Sequence, residues 1–333
     1  MDISTTANKN SKTRYLISRN IDFLCLGGAG IIIIPLILLF LPYGDLEYGK
    51  SLILIAWYIS FFINYPHFMY SYQLFFESFR EIKKQKEIKY AYLLRFYLVL
   101  YLVPTVIIIF AICGFIFNQK IFFTIMYQAM FFFVGWHYVK QGFGVLMTNS
   151  ARNKCYFSPK EKKAILSLCY LTWLTAWCLN NQNTLKSDDL LEYTTLQIPN
   201  NITEFFLILF VIFSFEFCRI LIVRYKQKKL PPFTYLAAFI ISLFFWIFAA
   251  ETPIYWLFIP ALHSLQYLVY VYSIKKNQLN NTSSILKKDF TKFALIGIIS
   301  GALFFEFIPN ILDIFYAENY SNISNFPFYL TFL

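Results

Sequence analysis

Apolar runs near the length of a bilayer crossing recur along this whole chain, separated by short clusters of lysine and arginine. A helix needs about 20 mainly apolar residues to cross a hydrocarbon core of about 30 Å. In lipid each backbone polar group must be satisfied within the spanning segment, which selects helices or closed barrels. The runs here have the length of spanning helices. They predict nine spans, at residues 23–43, 52–76, 91–117, 121–148, 160–179, 204–223, 233–250, 253–274 and 291–311, with edges set to within several residues. The fold class expected is therefore all-α, a polytopic transmembrane helical bundle. It forms one helical domain over residues 21–311, with a cytoplasmic N-terminal segment 1–20 and a short external or interfacial tail 312–333. With 58% hydrophobic and 14% charged residues, the chain is too apolar for a soluble globule of its length. Its 40 Phe and 25 Tyr suit wide interfacial belts.

The net charge of +11 suggests nucleic acid at first sight, but the distribution of the cations argues against it. Lys9, Lys12, Arg14 and Arg19 precede the first run, and Arg80, Lys83, Lys84, Lys86, Lys89 and Arg95 follow the second. Residues 150–163, 219–229 and 275–292 carry five cations each, whereas the alternate loops hold only Lys50, Lys120 and Lys186. Such alternation is the positive-inside pattern of a membrane protein, and it places the N-terminus in the cytoplasm and the C-terminus outside. The expected location is a bacterial inner membrane, with lipid as the surrounding partner and no nucleic acid.

The six cysteines form no C-x-x-C pair and most lie in apolar runs, so a disulfide framework is not expected. Residues 1–20 are polar and basic, and the following run is long enough to span, which does not read as a cleavable signal peptide. Ser158-Pro159-Lys160-Glu161 has the form of a capped helix start, Ser158 as cap and Glu161 closing a capping box. Thr252-Pro253 after Glu251 leaves room only for a tight hairpin between the seventh and eighth spans.

Only three histidines occur, His67, His137 and His263, and each lies inside an apolar run. An ionisable ring in hydrocarbon is costly and marks binding, relay or ligation. The three fall on the second, fourth and eighth spans, which all run in the same direction. His67 precedes Arg80 by 13 residues, His137 precedes Arg152 by 15, and His263 precedes Lys275 by 12. At about 1.5 Å rise per residue, they share one level within roughly 4–5 Å.

Each histidine has polar neighbours at helical spacing. Tyr70 lies three residues after His67, and Pro66 can free a backbone carbonyl beside that ring. Lys140 and Gln141 follow His137, and Gln266 follows His263. Such groups orient a ligating imidazole through its second nitrogen.

The chemistry this pattern supports is a transition-metal centre between helices, with His67, His137 and His263 as ligands to iron, copper or zinc. Glu216, on the sixth span, is the carboxylate best placed to join them, although an i,i+3 pair with Arg219 is an equal reading. Tyr70, Lys140, Gln141 and Gln266 are the residues expected to serve the reaction around the metal. Haem held axially by two of the histidines is a competitor, and a lone buried histidine is ordinarily a hydrogen-bonding link between helices.

Other features are weaker. Glu251 reads as a cap at an outer helix end, and Glu306 as a carboxylate toward the outer end of the last span. Gly27-Gly28-Ala29-Gly30 reads as small residues permitting close helix packing rather than a phosphate loop. No Walker motif, nucleophile elbow or H-E-x-x-H helix is present.

The blocks Asn64-Tyr65-Pro66-His67-Phe68, Gly135-Trp136-His137-Tyr138-Val139-Lys140-Gln141 and Ala261-Leu262-His263-Ser264-Leu265-Gln266-Tyr267-Leu268 resemble those of uncharacterised bacterial multi-pass membrane proteins. That resemblance covers most of the chain and carries no activity with it. Pro66-His67 is also similar to the early Pro-His pair of the membrane-bound carotene-cleaving dioxygenases from bacterial rhodopsin clusters, which use histidine-coordinated iron. The further histidines of that family have no counterpart here in number or spacing, so its substrate does not carry over.

The function expected is a metal-dependent oxidoreductase or oxygenase acting on a lipophilic small molecule dissolved in the membrane, with its electron donor undefined. The alternatives are a transporter of metal ions, protons or a small solute, and a scaffold whose histidines join helices.

Overall fold

Prolines shape this bundle as much as its apolar runs do. The computed structural model describes residues 14–40, 54–55, 57–85, 90–117, 120–182, 186–188, 191–193, 195–251, 254–280 and 285–311. Among these, helical segments group into nine rods that match the nine apolar runs. They are α1 (residues 19–40), α2 (residues 57–83), α3 (residues 90–116), α4 (Lys120–Arg152), α5 (Pro159–Asn180), α6 (Asn200–Lys226), α7 (Phe233–Glu251), α8 (Ile254–Asn280) and α9 (residues 285–311). A small antiparallel hairpin, β1 (Lys186–Asp188) with β2 (Leu191–Tyr193), pairs Lys186 with Tyr193 between α5 and α6. The N-terminal residues 1–13, the tail 312–333, Thr252-Pro253 and the side chain of Glu251 lie outside the described part.

By length and composition four segments can cross a membrane: Arg19–Leu36, Tyr90–Gly114, Asn200–Lys226 and Phe290–Ile311. The described core is thus helical, with four segments long and apolar enough to cross a membrane.

Four rods contain a π turn, and three of these have a common cause. The turns Ser60–Asn64, Leu98–Leu102 and Leu303–Phe307 each end two residues before a proline, namely Pro66, Pro104 and Pro309. A proline has no N–H for the carbonyl four residues earlier. Those carbonyls belong to Phe62, Leu100 and Phe305, the central residue of each turn. Widening to i→i+5 bonding absorbs the missing donor without breaking the helix. In α2 this places the turn one residue before Tyr65-Pro66-His67 and leaves Asn64 buried.

Contacts between rods settle their relative directions. Along α2 and α8, Asn64 meets Ser264, His67 meets Tyr267, and Glu77 meets Lys275. Along α4 and α8, His137 meets His263, Gln141 meets Gln266, and Asn149 meets Tyr270. Both series advance together, so α2, α4 and α8 run parallel, as the count of spans requires. α9 runs antiparallel to α2, Gln73 reaching Phe293 while Tyr65 stacks on Phe305.

The tightest packing lies among α1, α4, α5, α7 and α8, around Leu26, Val139, Leu146, Ile165, Tyr235 and Phe239, none of them exposed. Gly27 makes the α1–α7 approach possible: a Cβ there would lie 2.6 Å from the Ala238 Cα. The small-residue reading of the glycine cluster therefore holds at this position.

The capping box also forms as expected, with the Glu161 amide donating to Ser158 Oγ and the Ser158 amide to Glu161 Oε2 at 2.6 Å. Glu161 has a second duty. Arg224 of α6, with a side chain only 3% exposed, donates to both Glu161 oxygens and to the carbonyls of Cys155, Tyr156 and Lys229, over the face of Phe157. Changing Arg224 to Ala leaves a carboxylate and three carbonyls without their donor, and is expected to cost about 3–5 kcal/mol. Arg224→Lys should recover only part of this, because an ammonium cannot reproduce the planar fork. Thermal unfolding of the purified variants in detergent measures both; a lysine variant as stable as wild type contradicts the fork argument.

Candidate metal centre

The parallel arrangement of α2, α4 and α8 brings the three histidines together. One ring nitrogen from each of His67, His137 and His263 lies within 4.8 Å of the others. His263 is central: its Nε2 lies 3.1 Å from His137 Nε2, and its ring is 5.3 Å from the His67 ring, centroid to centroid. His67 and His263 are buried and His137 is exposed on the surface of the chain.

These distances test the fit of a metal. Two nitrogens bonded to one tetrahedral ion at about 2.0–2.1 Å stand roughly 3.3 Å apart, and no two ligands can exceed about 4.2 Å. The His137–His263 pair already meets the first condition. The widest separation, up to 4.8 Å, must close by about 1.5 Å to reach tetrahedral spacing, which requires one ring to move toward the other two. His67 Nδ1 is buried and has no hydrogen-bond partner, which a buried polar atom ordinarily has. The donor set is thus compatible with a transition metal. The 3.1 Å between His137 and His263 is shorter than the about 4 Å that axial nitrogens keep across a haem iron, so this pair does not bracket a porphyrin.

Rings surround the trio. Tyr138 stacks on His263 at 4.1 Å between centroids, and Tyr267 meets His67 edge-on at 4.5 Å. Beside them Asn64 and Ser264 form a buried pair at 2.8 Å. Ser71, one turn after His67, donates to the His67 carbonyl. A cavity of about 30 Å³, enough for one water, adjoins His263 between Tyr138, Ser242 and Gln266.

The other residues expected at the site are placed differently. Gln141 lies beside the centre but donates to the backbone carbonyl of His263 at 2.8 Å, and to Gln266 Oε1 at 3.2 Å, rather than to a ring. Gln266 is buried and donates to the carbonyls of Leu26 and Ala238 and to Ser242 Oγ. It ties α8 to α7 and to the π turn Leu24–Gly28 of α1. Tyr70 turns away altogether: its hydroxyl donates to the Ala294 carbonyl of α9 and its ring stacks on Phe293. Three residues on from His67 is the face of α2 that meets α9, while α8 takes the face of His67 itself. Lys140 reaches toward α5, over Tyr170 and Phe143.

Glu216 is not among the converging ligands. It holds Arg219 through two 2.6 Å contacts on the exposed side of α6. A carboxylate with a cation one turn away on its own helix satisfies itself locally. Glu306 likewise is engaged, accepting from Trp57, Tyr65 and Asn310.

Sequence reasoning missed Tyr138 and Tyr267 as ring neighbours, and the Asn64–Ser264 pair. The signal was present, since all four lie inside the three histidine blocks, but spacing does not say which neighbouring helix a ring will reach.

Gln266 supplies a local prediction. Gln266→Leu preserves approximate volume but leaves the Leu26 carbonyl without this donor and removes a hydrogen-bond partner of Gln141. The expected cost is about 1–3 kcal/mol, read as a lower unfolding temperature of the detergent-purified protein. No change in that temperature contradicts the role of this amide.

Comparison of the chain with protein-family models, with curated proteins and with solved structures finds no match in any of the three.

Proposed function

We propose that the three histidines hold a transition metal within the bilayer, and that the protein is an oxidoreductase or oxygenase acting on a lipophilic molecule dissolved in the membrane. The observation that carries this reading is the convergence of all the histidines of the chain on one point from three separate helices. In this reading the protein crosses a bacterial inner membrane nine times with its N-terminus in the cytoplasm, following the alternation of its basic loops.

Iron or copper, held by His67, His137 and His263, would supply redox chemistry there. The residues of the chain do the rest. Neutral imidazoles donate their lone pairs, Tyr138 and Tyr267 hold the rings of His263 and His67, and Gln141 fixes the backbone of His263. Electrons come from a donor outside the chain.

Access from the membrane, rather than through it, is supported by an apolar layer beneath the centre. Leu26 of α1, Val145 and Leu146 of α4, and Ala238 and Phe239 of α7 are all at most 2% exposed. They separate the histidine level from a second polar group around Asp22, Asn149, Tyr235 and Tyr270. A transport pathway needs polar or wet lining across this level; Gln266 reaches the Leu26 and Ala238 carbonyls, and the packed side chains beyond it are apolar.

The test is metal analysis of the full chain purified in detergent. About one equivalent of iron or copper per chain, reduced in each single histidine-to-alanine variant, is the expected outcome. Absence of stoichiometric metal after loading with either ion removes the proposal.

A further inference from the structure

Resting on the reading of the histidines as a metal centre, we infer that a face of α4 leading to His137 seats one long hydrocarbon chain of a membrane-dissolved molecule, beneath α3. α3 is held at its two ends by different helices. Near one end Phe96 and Tyr97 pack on Phe75 and Phe79 of α2. Near the other Phe110 and Phe117 pack on Phe122 of α4. Between these attachments α3 stands off from the bundle. Of residues 98–106 only Leu100 is less than exposed, with Val99 at 55% and Tyr101 at 59%. This stretch contains the π turn before Pro104, so the helix is deformed where it spans the gap.

The α4 surface under this bridge is continuous. Beyond Phe122, the residues Ile125, Ala129, Phe133, Trp136 and His137 are all exposed and recur at helical spacing. The stripe is apolar until its final member, the exposed histidine of the trio. From Ile125 to His137 it measures about 18 Å, the reach of a long acyl or isoprenoid tail. An imidazole open to hydrocarbon at this depth is costly, and a chain whose reactive end lies against His137 gives that exposure a use. The apolar layer on the cytoplasmic side closes the other approach to the centre. A single chain is the occupant chosen, because the stripe is one residue wide along α4 and α3 is tied to α2 near one end and to Phe122 of α4 near the other.

The experiment uses the full chain in phosphatidylcholine vesicles with stearic acid carrying a photoreactive diazirine, and maps the adducts by mass spectrometry. Labelling is expected at Ala129, Phe133 and Trp136 of α4 and at Tyr101 or Leu102 of α3, and most of it is lost with excess unlabelled stearic acid. Adducts on the exposed Ile208 and Phe215 of α6 should be insensitive to that competitor. Ala129→Trp, which fills the stripe, should lose the competable label while retaining metal. Stripe labelling that is not competed by unlabelled stearic acid overturns the seat. Metal content measured on the same samples separates the two proposals. Competable labelling without metal leaves the seat and removes the metal centre, whereas metal without competable labelling removes the seat alone.

Discussion

Changing His263 to Ala is expected to abolish stoichiometric metal binding, and to do so more completely than His67→Ala. His263 stands between the other two, 3.1 Å from His137 Nε2 and in ring contact with His67. Its removal leaves His67 and His137 as two ligands without the ring that joins them. His67 has the ring whose buried Nδ1 lacks a partner, and its loss leaves the closely spaced His137–His263 pair intact. Loss of groups that merely orient a ligand lowers affinity about 10–100-fold, so the loss of the central ligand should exceed that range. Metal content after dialysis against a weak chelator, with circular dichroism confirming the fold, gives the ranking. A His263→Ala protein that is folded and holds as much metal as wild type would falsify the centre.

The nine rods were legible because each apolar run is long enough for a helix of several turns, and the common level of the histidines because the counts to the next loop cation agree within a few residues. Ser158 and Glu161 form their box because a cap depends only on residues three apart. The site itself was legible only in outline. Spacing along one helix puts Gln141 on the side of α4 that bears His137, and it bonds the His263 carbonyl of α8, but spacing cannot say which neighbour each face will meet. Tyr70 therefore went to α9 and Lys140 toward α5, while Tyr138 and Tyr267 took the ring contacts. The prolines were visible, yet their conversion into π turns depends on how each helix recovers an orphaned carbonyl, which no local pattern states. Glu216 illustrates the opposite case: Arg219, one turn away, was sufficient to settle its partner.

Replacing Gly27 with Ala is expected to destabilise the protein and to disturb the histidine centre from a distance. The added Cβ would lie 2.6 Å from Ala238 Cα and 2.7 Å from its amide nitrogen. Both atoms are backbone within α7, so no rotamer change relieves the contact and the helices must separate. Overpacking of this kind costs about 1–3 kcal/mol. The separation also draws the Leu26 carbonyl, the residue before, away from Gln266, which spans α1, α7 and α8 at this point. Gln266 in turn accepts from Gln141, whose amide holds the His263 carbonyl. A weaker hold on metal should therefore accompany the lower unfolding temperature. Gly144→Ala is the control, because nothing lies within 4 Å of its added Cβ. In mid-helix that change should be neutral or stabilising by up to about 1 kcal/mol. Equal unfolding temperatures for the two variants would show that α1 and α7 do not approach as closely as Gly27 implies. A destabilised Gly27→Ala protein with unchanged metal affinity would instead sever the link from Leu26 through Gln266 to the centre.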